Sequence, residues 1–367
     1  MLSALAVLLA IFVLGPTSVA AAPFRIAWVH GTCVNCEIAR YIVAVPYFSA
    51  TDAWAVGFNP PGETGTGDAT VLHSHDGGLT WAELHQTYTH NDFPTVSFAG
   101  PLDGWLMHMD ISAAEQRLTE THDGGRHWRR LRNPDDYLRQ VQYLGHGHGI
   151  AYAFDIYKKV ASFYITSGQD RWRRIALPSG FAMDQMNFTD LRHGLLAGCR
   201  DRKVTVLTTV DGGLHWTSSA LDMPPIGDPT SACDGYEVDD VTGDAGGHAW
   251  LLVTKHSFMK GDTGGYASAW SSSDSGSTWT KAFERRFDTG ADFSRMQDFE
   301  GPYDLKGGRP LLAHSVAHTH PTILYREPSG GWRDEPIQRA INGCSPTRSG
   351  LACAAGQGGF WVASLSH

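Results

Sequence analysis

Short apolar runs recur along this chain. They occupy residues 52–57, 103–108, 148–153, 193–198, 248–253, 308–313 and 349–354. Each run is too short for a helix and too apolar for a strand with one face in water, so the pattern predicts seven buried inner strands. Several runs follow a short strand-like segment with an aromatic residue, such as Phe98 or Phe188, and Cys344 takes the equivalent place before the last run.

A second pattern, Ser/Thr-x-Asp-x-Gly-x-x-Trp, occurs four times, ending at Trp81, Trp128, Trp216 and Trp279. Two eroded copies end at Trp172 and Trp332. Consecutive tryptophans in this series are 47, 44, 44, 63 and 53 positions apart. Such spacing is typical of the repeating unit of a β-propeller.

The chemistry of the motif is that of a tight hairpin. An Asp carboxylate accepts hydrogen bonds from nearby backbone N–H groups, Gly tolerates a positive φ, and Trp supplies a large apolar surface to the next strand. We therefore interpret these residues as structural, in preference to catalytic acids or calcium ligands. They are Asp76, Gly78, Trp81, Asp123, Gly125, Trp128, Asp211, Gly213, Trp216, Asp274, Gly276 and Trp279.

Each unit is predicted to contain four antiparallel strands: a first strand, the apolar strand, a third strand and the Trp strand. One such sheet cannot bury both of its faces, so the units must stack in a ring. The last unit lacks an outer strand, and residues 24–29 supply a suitable one. The expected fold is all-β, with residues 23–367 forming a single seven-bladed propeller closed by an N-terminal strand.

The N-terminus has the layout of a secretory signal peptide. An apolar run from Leu2 to Leu14 precedes small residues up to Ala22, and the run is shorter than the roughly 20 residues that cross a bilayer. We expect residues 1–22 to be removed and the protein to be periplasmic or secreted, without a transmembrane segment. The formal net charge is -9, which argues against nucleic-acid binding.

Six cysteines in an exported protein indicate disulfides. They are Cys33, Cys36, Cys199, Cys233, Cys344 and Cys353. For Cys33 and Cys36 a disulfide is favoured over a redox or metal role. Cys344 and Cys353 flank a short hairpin and can pair across it. Cys199 and Cys233 are then the third candidate pair. Residues 217–247 form a longer interval between copies, which includes Cys233 and the acidic segment 237–240, and we expect it to project from one face of the ring.

The repeats resemble those of the Asp-box, or bacterial neuraminidase repeat (BNR), proteins. The pairing of Asp103-Gly104-Trp105 with the motif of residues 121–128 is most similar to the photosystem II stability and assembly factor family. That resemblance spans nearly the whole mature chain. It implies a non-enzymatic propeller outside the cytoplasm that binds another protein, in some cases a membrane-associated one.

Asp boxes also occur in enzymes, so the alternative is an exported glycoside hydrolase or a carbohydrate-binding propeller. Arg25, in Phe24-Arg25-Ile26, resembles the start of the sialidase Phe/Tyr-Arg-Ile-Pro motif, although Ala27 stands where that motif has Pro. A xyloglucan-type hydrolase requires two carboxylates across a groove. The loop candidates are Asp92, Asp110, Asp155, Glu237, Asp292 and Asp298. No sequence pattern pairs them, and we predict no catalytic residues.

Arginines cluster directly after two of the tryptophans. Arg129, Arg130 and Arg132 follow Trp128, and Arg173 and Arg174 follow Trp172. They form a candidate docking patch for an acidic protein segment, or alternatively charges that protect exposed strand edges from aggregation. The histidine groups His146/His148 and His314/His318/His320 have spacings that a metal can use. Exposed loop histidines are the default, however, and we expect neither a metal nor a cofactor.

Overall fold

The computed structural model describes the strands and most of their connections. The described residues are 25–33, 41–48, 51–59, 67–76, 80–89, 95–110, 115–155, 157–168, 171–224, 232–255, 265–287, 297–305, 309–316, 319–326, 331–336, 341–346, 350–355 and 359–366. Over these residues the chain is all-β, with one 3-10 turn at Ala232–Gly235. The predicted signal peptide, residues 1–22, lies outside them. No helix in the described part is long and apolar enough to cross a membrane.

Five sheets have four strands each. They are β6 (Thr95–Phe98), β7 (Gly104–Asp110), β8 (Glu115–Thr121) and β9 (Arg129–Arg130); β10 (Leu138–Gly145), β11 (His148–Asp155), β12 (Val160–Ser167) and β13 (Trp172–Ile175); β14 (Phe181–Phe188), β15 (Gly194–Arg200), β16 (Lys203–Thr209) and β17 (Thr217–Ala220); β18 (Glu237–Gly243), β19 (Ala249–Lys255), β20 (Gly265–Ser272) and β21 (Thr280–Phe287); and β22 (Gln297–Leu305), β23 (Arg309–Val316), β24 (Thr319–Arg326) and β25 (Trp332–Pro336).

A further sheet has eight strands, in the order β2-β3-β4-β5-β1-β28-β27-β26. Its members are β1 (Arg25–Cys33), β2 (Tyr41–Phe48), β3 (Ala53–Asn59), β4 (Gly67–Ser74), β5 (Thr80–Thr89), β26 (Ile341–Pro346), β27 (Gly350–Ala355) and β28 (Gly359–Ser366). Strand β1 pairs antiparallel with β28 over seven residue pairs and parallel with β5 over two. The pairing with β28 agrees with the predicted N-terminal closing strand.

Burial follows position within each sheet. Every residue of β19, a second strand, is buried, whereas β17, an outermost strand, is largely exposed. The second strands are the apolar runs of the sequence, so the predicted order of strands within the unit is confirmed. Apolar clusters lie between consecutive sheets; one cluster joins Ile150 and Phe163 of one sheet to Phe188 and Leu196 of the next.

The first strands pair irregularly with the second strands. A register shift interrupts the pairing of β10 between Leu138 and Gln140 and that of β14 between Met183 and Gln185. A β-bulge of this kind increases the local twist. Side chains then bridge neighbouring sheets, because the Gln142 amide donates to the carbonyl of Phe188 (3.0 Å) and accepts from its N–H (2.8 Å).

The repeated turn also joins neighbouring sheets. Gly213 has φ +78°, and a Cβ placed on it would lie 2.7 Å from Cγ2 of Ile175 in the preceding sheet. The corresponding Gly276 contacts Leu195 in the same manner, and its carbonyl accepts a hydrogen bond from Thr208 Oγ1 (3.2 Å). Glycine is therefore required for both its backbone conformation and its lack of a side chain.

The interval 217–247 differs from the predicted projecting loop. Cys233 and Tyr236 are buried in the cluster between two sheets, and the Tyr236 hydroxyl donates to the carbonyl of Pro224 (2.6 Å). The acidic segment 237–240 belongs to β18, a first strand, and not to a loop. Residues 225–231 lie outside the described part.

The disulfide between Cys199 and Cys233 confirms one predicted pair and ties the interval 217–247 to β15. Cys344 and Cys353 stand opposite each other in the register of β26 and β27. Cys33 ends β1, and Cys36 lies outside the described residues. The other two pairings therefore stay predictions.

Replacing Gly213 with Ala tests the turn contact. The variant must hold a side chain at positive φ and place its methyl group against Ile175, so we expect the free energy of unfolding to fall by about 1–3 kcal/mol. Gly100→Ala is the matched control, because no atom lies within 4 Å of its added Cβ. Equilibrium guanidinium denaturation of both variants measures the difference, and equal losses would contradict the assignment.

Candidate functional site

The carboxylates of the repeated turns are bound within their own turns. Asp123 Oδ1 accepts hydrogen bonds from the His127 N–H (2.9 Å) and the Thr121 hydroxyl (3.0 Å), and the His127 ring lies 2.6 Å from Oδ2. These bonds lower the pKa of Asp123 to about 2, the backbone N–H contributing most. A carboxylate held in this way stabilises a turn and is unsuited to donate a proton.

The other copies repeat this arrangement. Asp211 is bound by Thr209 and His215, and Asp274 by Ser272 and Thr278. The carboxylate of Asp76 likewise accepts hydrogen bonds from Ser74 and Thr80. The residue before each Trp is thus Thr or His, because either side chain can reach the second carboxylate oxygen. This regularity is visible in the sequence, but the motif as written leaves the position undefined.

The five predicted arginines lie on two neighbouring outermost strands and just beyond, and we call them the arginine face. Arg129 and Arg130 form β9, Arg132 follows it, and Arg173 and Arg174 lie in β13. All five are exposed. The Trp172 indole donates to the carbonyl of Arg132 (3.0 Å), which fixes the two strands against each other.

Arg129 has a structural contact as well. Glu120 is only 3% exposed, and its Oε2 lies 2.7 Å from Arg129 Nη2. Its Oε1 accepts a hydrogen bond from the Trp105 indole (3.2 Å). Removal of a partner from a buried charge is strongly destabilising, so Arg129 belongs to the sheet as much as to the surface.

The described carboxylates that were candidates for hydrolysis lie in different strands and turns. Asp155 accepts hydrogen bonds from the N–H groups of Tyr157 (2.9 Å) and Lys158 (3.0 Å) and is therefore part of a turn. Glu237 is exposed at the start of β18. Asp110 and Asp298 lie in β7 and β22, Arg25 begins β1, and Asp92 and Asp292 are outside the described residues.

Asp184, which no sequence motif singles out, lies at the register shift of first strand β14. It is partly buried, and its Oδ2 accepts a hydrogen bond from the Val238 N–H of the neighbouring sheet (3.3 Å). Burial raises the pKa of Asp184 to about 6, and the charge of Glu237 adds to the effect. A carboxyl with such a pKa can exchange a proton near neutral pH.

Aspartate and histidine form pairs near the start of several second strands. Asp190 pairs with His193 (2.8 Å) and Asp244 with His248 (3.1 Å). Together with Ser275 these pairs line a cleft of about 220 Å³ between the sheets β14–β17 and β18–β21. The sequence signal was an Asp three or four residues before a His that precedes an apolar run, and it went unnoticed.

A related cluster lies beside strands β3 and β4 of the eight-stranded sheet. Asp52, His73 and His75 bring their carboxylate and imidazole atoms within 4.8 Å of one another. Burial lowers the pKa of His73 to about 4. By contrast, His146 and His148, noted for their spacing, hold their rings 6.5 Å apart.

Neither a family model nor a curated protein sequence matches the chain. Its fold is similar to several solved structures. The GH74 xyloglucanase from Xanthomonas campestris matches with 12% identity and a TM-score of 0.52, over 93% of this chain and 54% of its own. The β-propeller domain of the trilobed protease from Pyrococcus furiosus matches with 8% identity and a TM-score of 0.51, over 86% of this chain and 92% of its own.

YCF48 from Cyanidioschyzon merolae matches with 15% identity and a TM-score of 0.46, over 79% of this chain and 97% of its own. At such identities a similarity shows the fold alone. The xyloglucanase and protease matches, with the sheet order, confirm the predicted β-propeller fold.

Asp184→Asn tests the perturbed carboxyl through stability. The pKa of Asp184 is higher in the folded state, about 6, than the usual value near 4, so the folded protein binds more protons between these values and loses stability as pH rises through them. Asn is uncharged and keeps an acceptor for the Val238 N–H. We expect the variant to melt at a higher temperature than the parent at pH 7.5 and at the same temperature at pH 4.

Asp155→Asn is the control, because its expected effect on the melting temperature is opposite to that of Asp184→Asn. Hydrogen bonds from Lys158 hold the pKa of Asp155 below its usual range, so this substitution should lower the melting temperature at pH 7.5. Scanning calorimetry at both pH values gives the comparison. If the melting temperatures of the parent and Asp184→Asn differ by the same amount at pH 4 and at pH 7.5, the raised pKa is refuted.

Proposed function

We propose that this β-propeller is an exported, non-enzymatic binding module that docks an acidic segment of another protein on the arginine face. The observation that carries the proposal is the concentration of five exposed arginines on adjacent outermost strands of a protein with net charge -9. A local positive surface on an acidic protein selects and orients a negatively charged partner.

Protection of strand edges is a weaker explanation for the same arginines. The outermost strand β17, Thr217–Ala220, is exposed and carries no charged residue. Outer β21 carries Lys281, Glu284, Arg285 and Arg286, so its charges are mixed. If edge protection alone required arginine, β17 would carry it too.

Export is part of the proposal. It is supported by the apolar run and small residues of 1–22, and by the Cys199–Cys233 disulfide, which is typical of oxidising compartments. The resemblance to the photosystem II stability and assembly factor family adds a role in binding or assembling other proteins, including membrane-associated ones.

The proposed ring has seven blades. The eight-stranded sheet divides into β2–β5 and the group β26, β27, β28 and β1, joined by the short parallel pairing of β1 with β5. The first strands β2, β6, β10, β14, β18, β22 and β26 contact one another in succession, and β26 contacts β2. This succession supports a closed ring with the terminal strands of the chain in one blade.

The docking test uses a fluorescent oligo-glutamate peptide and an oligo-glycine-serine peptide as probes. A variant with Arg130, Arg132, Arg173 and Arg174 replaced by Ser keeps Arg129 and therefore the pair with Glu120. We expect the parent to bind the acidic probe in a salt-dependent manner, and the variant to bind at least about tenfold more weakly because each lost charge removes attraction to the probe. Fluorescence anisotropy measures both.

The matched control replaces Arg285 and Arg286 of β21 with Ser. Arg285 lies 3.2 Å from Asp334, so its charge is already balanced. Binding of the acidic probe to this variant should stay within about twofold of the parent. Equal weakening by both variants would show a diffuse charge effect and overturn the assignment of the docking surface.

The second candidate function is a glycoside hydrolase or carbohydrate-binding propeller, and Asp184 is the observation that favours it. A carboxyl with a raised pKa next to the charged Glu237 resembles the division of roles between a general acid and an ionised carboxylate. For the docking module we expect no sugar release from sialosides or xyloglucan. Release by the parent that falls at least about a hundredfold in Asp184→Asn would favour the hydrolase instead.

A further inference from the structure

Two histidines and an aspartate lie close together at one end of strands β3 and β4. His73 lies in β4, one residue before its end at Ser74, and His75 directly follows the strand. Asp52 directly precedes β3, the neighbouring strand, where Trp54 stands opposite His73. The antiparallel pairing of β3 and β4 therefore brings Asp52 close to two histidines that lie more than 20 positions later in the sequence.

The distances among these groups suit a small metal ion. Asp52 Oδ1 lies 3.5 Å from His73 Nε2 and 3.3 Å from His75 Nδ1. Ligands at about 2.0–2.1 Å from a tetrahedral zinc ion are about 3.3–3.4 Å apart. The two distances from Asp52 thus match those between ligands of a tetrahedral centre, and all three ligand atoms lie within 4.8 Å of one another.

His73 provides an independent indication. Its side chain is 7% exposed, yet Nε2 makes no hydrogen bond. The Trp54 ring stacks on the imidazole at 4.0 Å with an interplanar angle of 10°, and the His75 ring meets it edge-on at 4.0 Å. A buried ring nitrogen that makes no hydrogen bond, with the Asp52 carboxylate 3.5 Å away, is unusual in a native protein, and a metal ion bound to both groups would satisfy it.

We propose that Asp52, His73 and His75 form a binding site for Zn²⁺. Two imidazole nitrogens and one carboxylate oxygen favour zinc and its transition-metal neighbours over Ca²⁺ or Mg²⁺, which prefer oxygen ligands. Three protein ligands leave the fourth tetrahedral position open to water or an incoming group. The proposal differs from the sequence-based expectation that the protein holds no metal.

The surroundings supply both a supporting and an opposing contact. The Thr51 hydroxyl donates to Asp52 Oδ2 (2.8 Å), which orients the carboxylate while Oδ1 faces the imidazoles. Arg126, exposed on the next repeated turn, places a positive charge near enough to act on His73. Repulsion from Arg126 therefore weakens the binding of a cation at this position, and removal of Arg126 should strengthen it.

The test titrates Zn²⁺ alone into the purified full-length protein after chelator treatment, with isothermal calorimetry for affinity and elemental analysis for stoichiometry. His75→Ala and Asp52→Asn each remove one ligand at a partly exposed position, so the fold is retained. We expect each to weaken the binding of one zinc ion per chain by at least about tenfold, and Arg126→Ala to strengthen it.

His122→Ala is the matched control, because His122 occupies the equivalent position after Thr121 and contacts carboxylates but no second imidazole in the described structure. It should leave the zinc affinity unchanged. Excess Mg²⁺ or Ca²⁺ should not displace the zinc. Failure to bind at 100 µM zinc (about −5.5 kcal/mol), or binding that survives both His75→Ala and Asp52→Asn, would overturn the proposal.

Discussion

The structure depends on one constraint: a four-stranded sheet with two apolar faces is stable only between two others. The repeated turn meets this constraint directly. Its glycine carries no side chain, so the turn of one sheet can lie against Ile175 or Leu195 of the sheet before it. The conserved shape of the turn within this chain is thus a device for contact between sheets as well as for reversing the chain.

The same residue type serves opposite purposes according to its surroundings. Asp123 accepts hydrogen bonds from its own turn and has a pKa of about 2, whereas Asp184 is partly buried at a bulge and has a pKa of about 6. Local N–H groups favour the charged form in one case, and burial disfavours it in the other. The residues that identify the repeat are therefore different from those with unusual acid–base properties.

Sequence patterns predicted what is local or periodic. The turn residues, the apolar second strands and the pairing of Cys199 with Cys233 follow from short motifs and from the count of cysteines. The patterns missed Asp184, because its raised pKa results from burial against a neighbouring sheet and from the charge of Glu237, neither of which is visible in the sequence around it. They also missed the meeting of Asp52 with His73, which lie 21 positions apart and are joined only by the register of two strands. Likewise, the acidic segment 237–240 looked like a loop because its apolar neighbours are contributed by other sheets.

The pairing of β1 with β28 has a consequence for biogenesis. Arg25 pairs with Ser366, 341 positions later, so β1 obtains its long antiparallel partner only after β28 has been synthesised. Pairing across such a sequence separation is slow, and until it forms the edge of β1 is open to other chains. We therefore expect this pairing to form late in folding, and β1 to need protection from other chains for as long as β28 is missing.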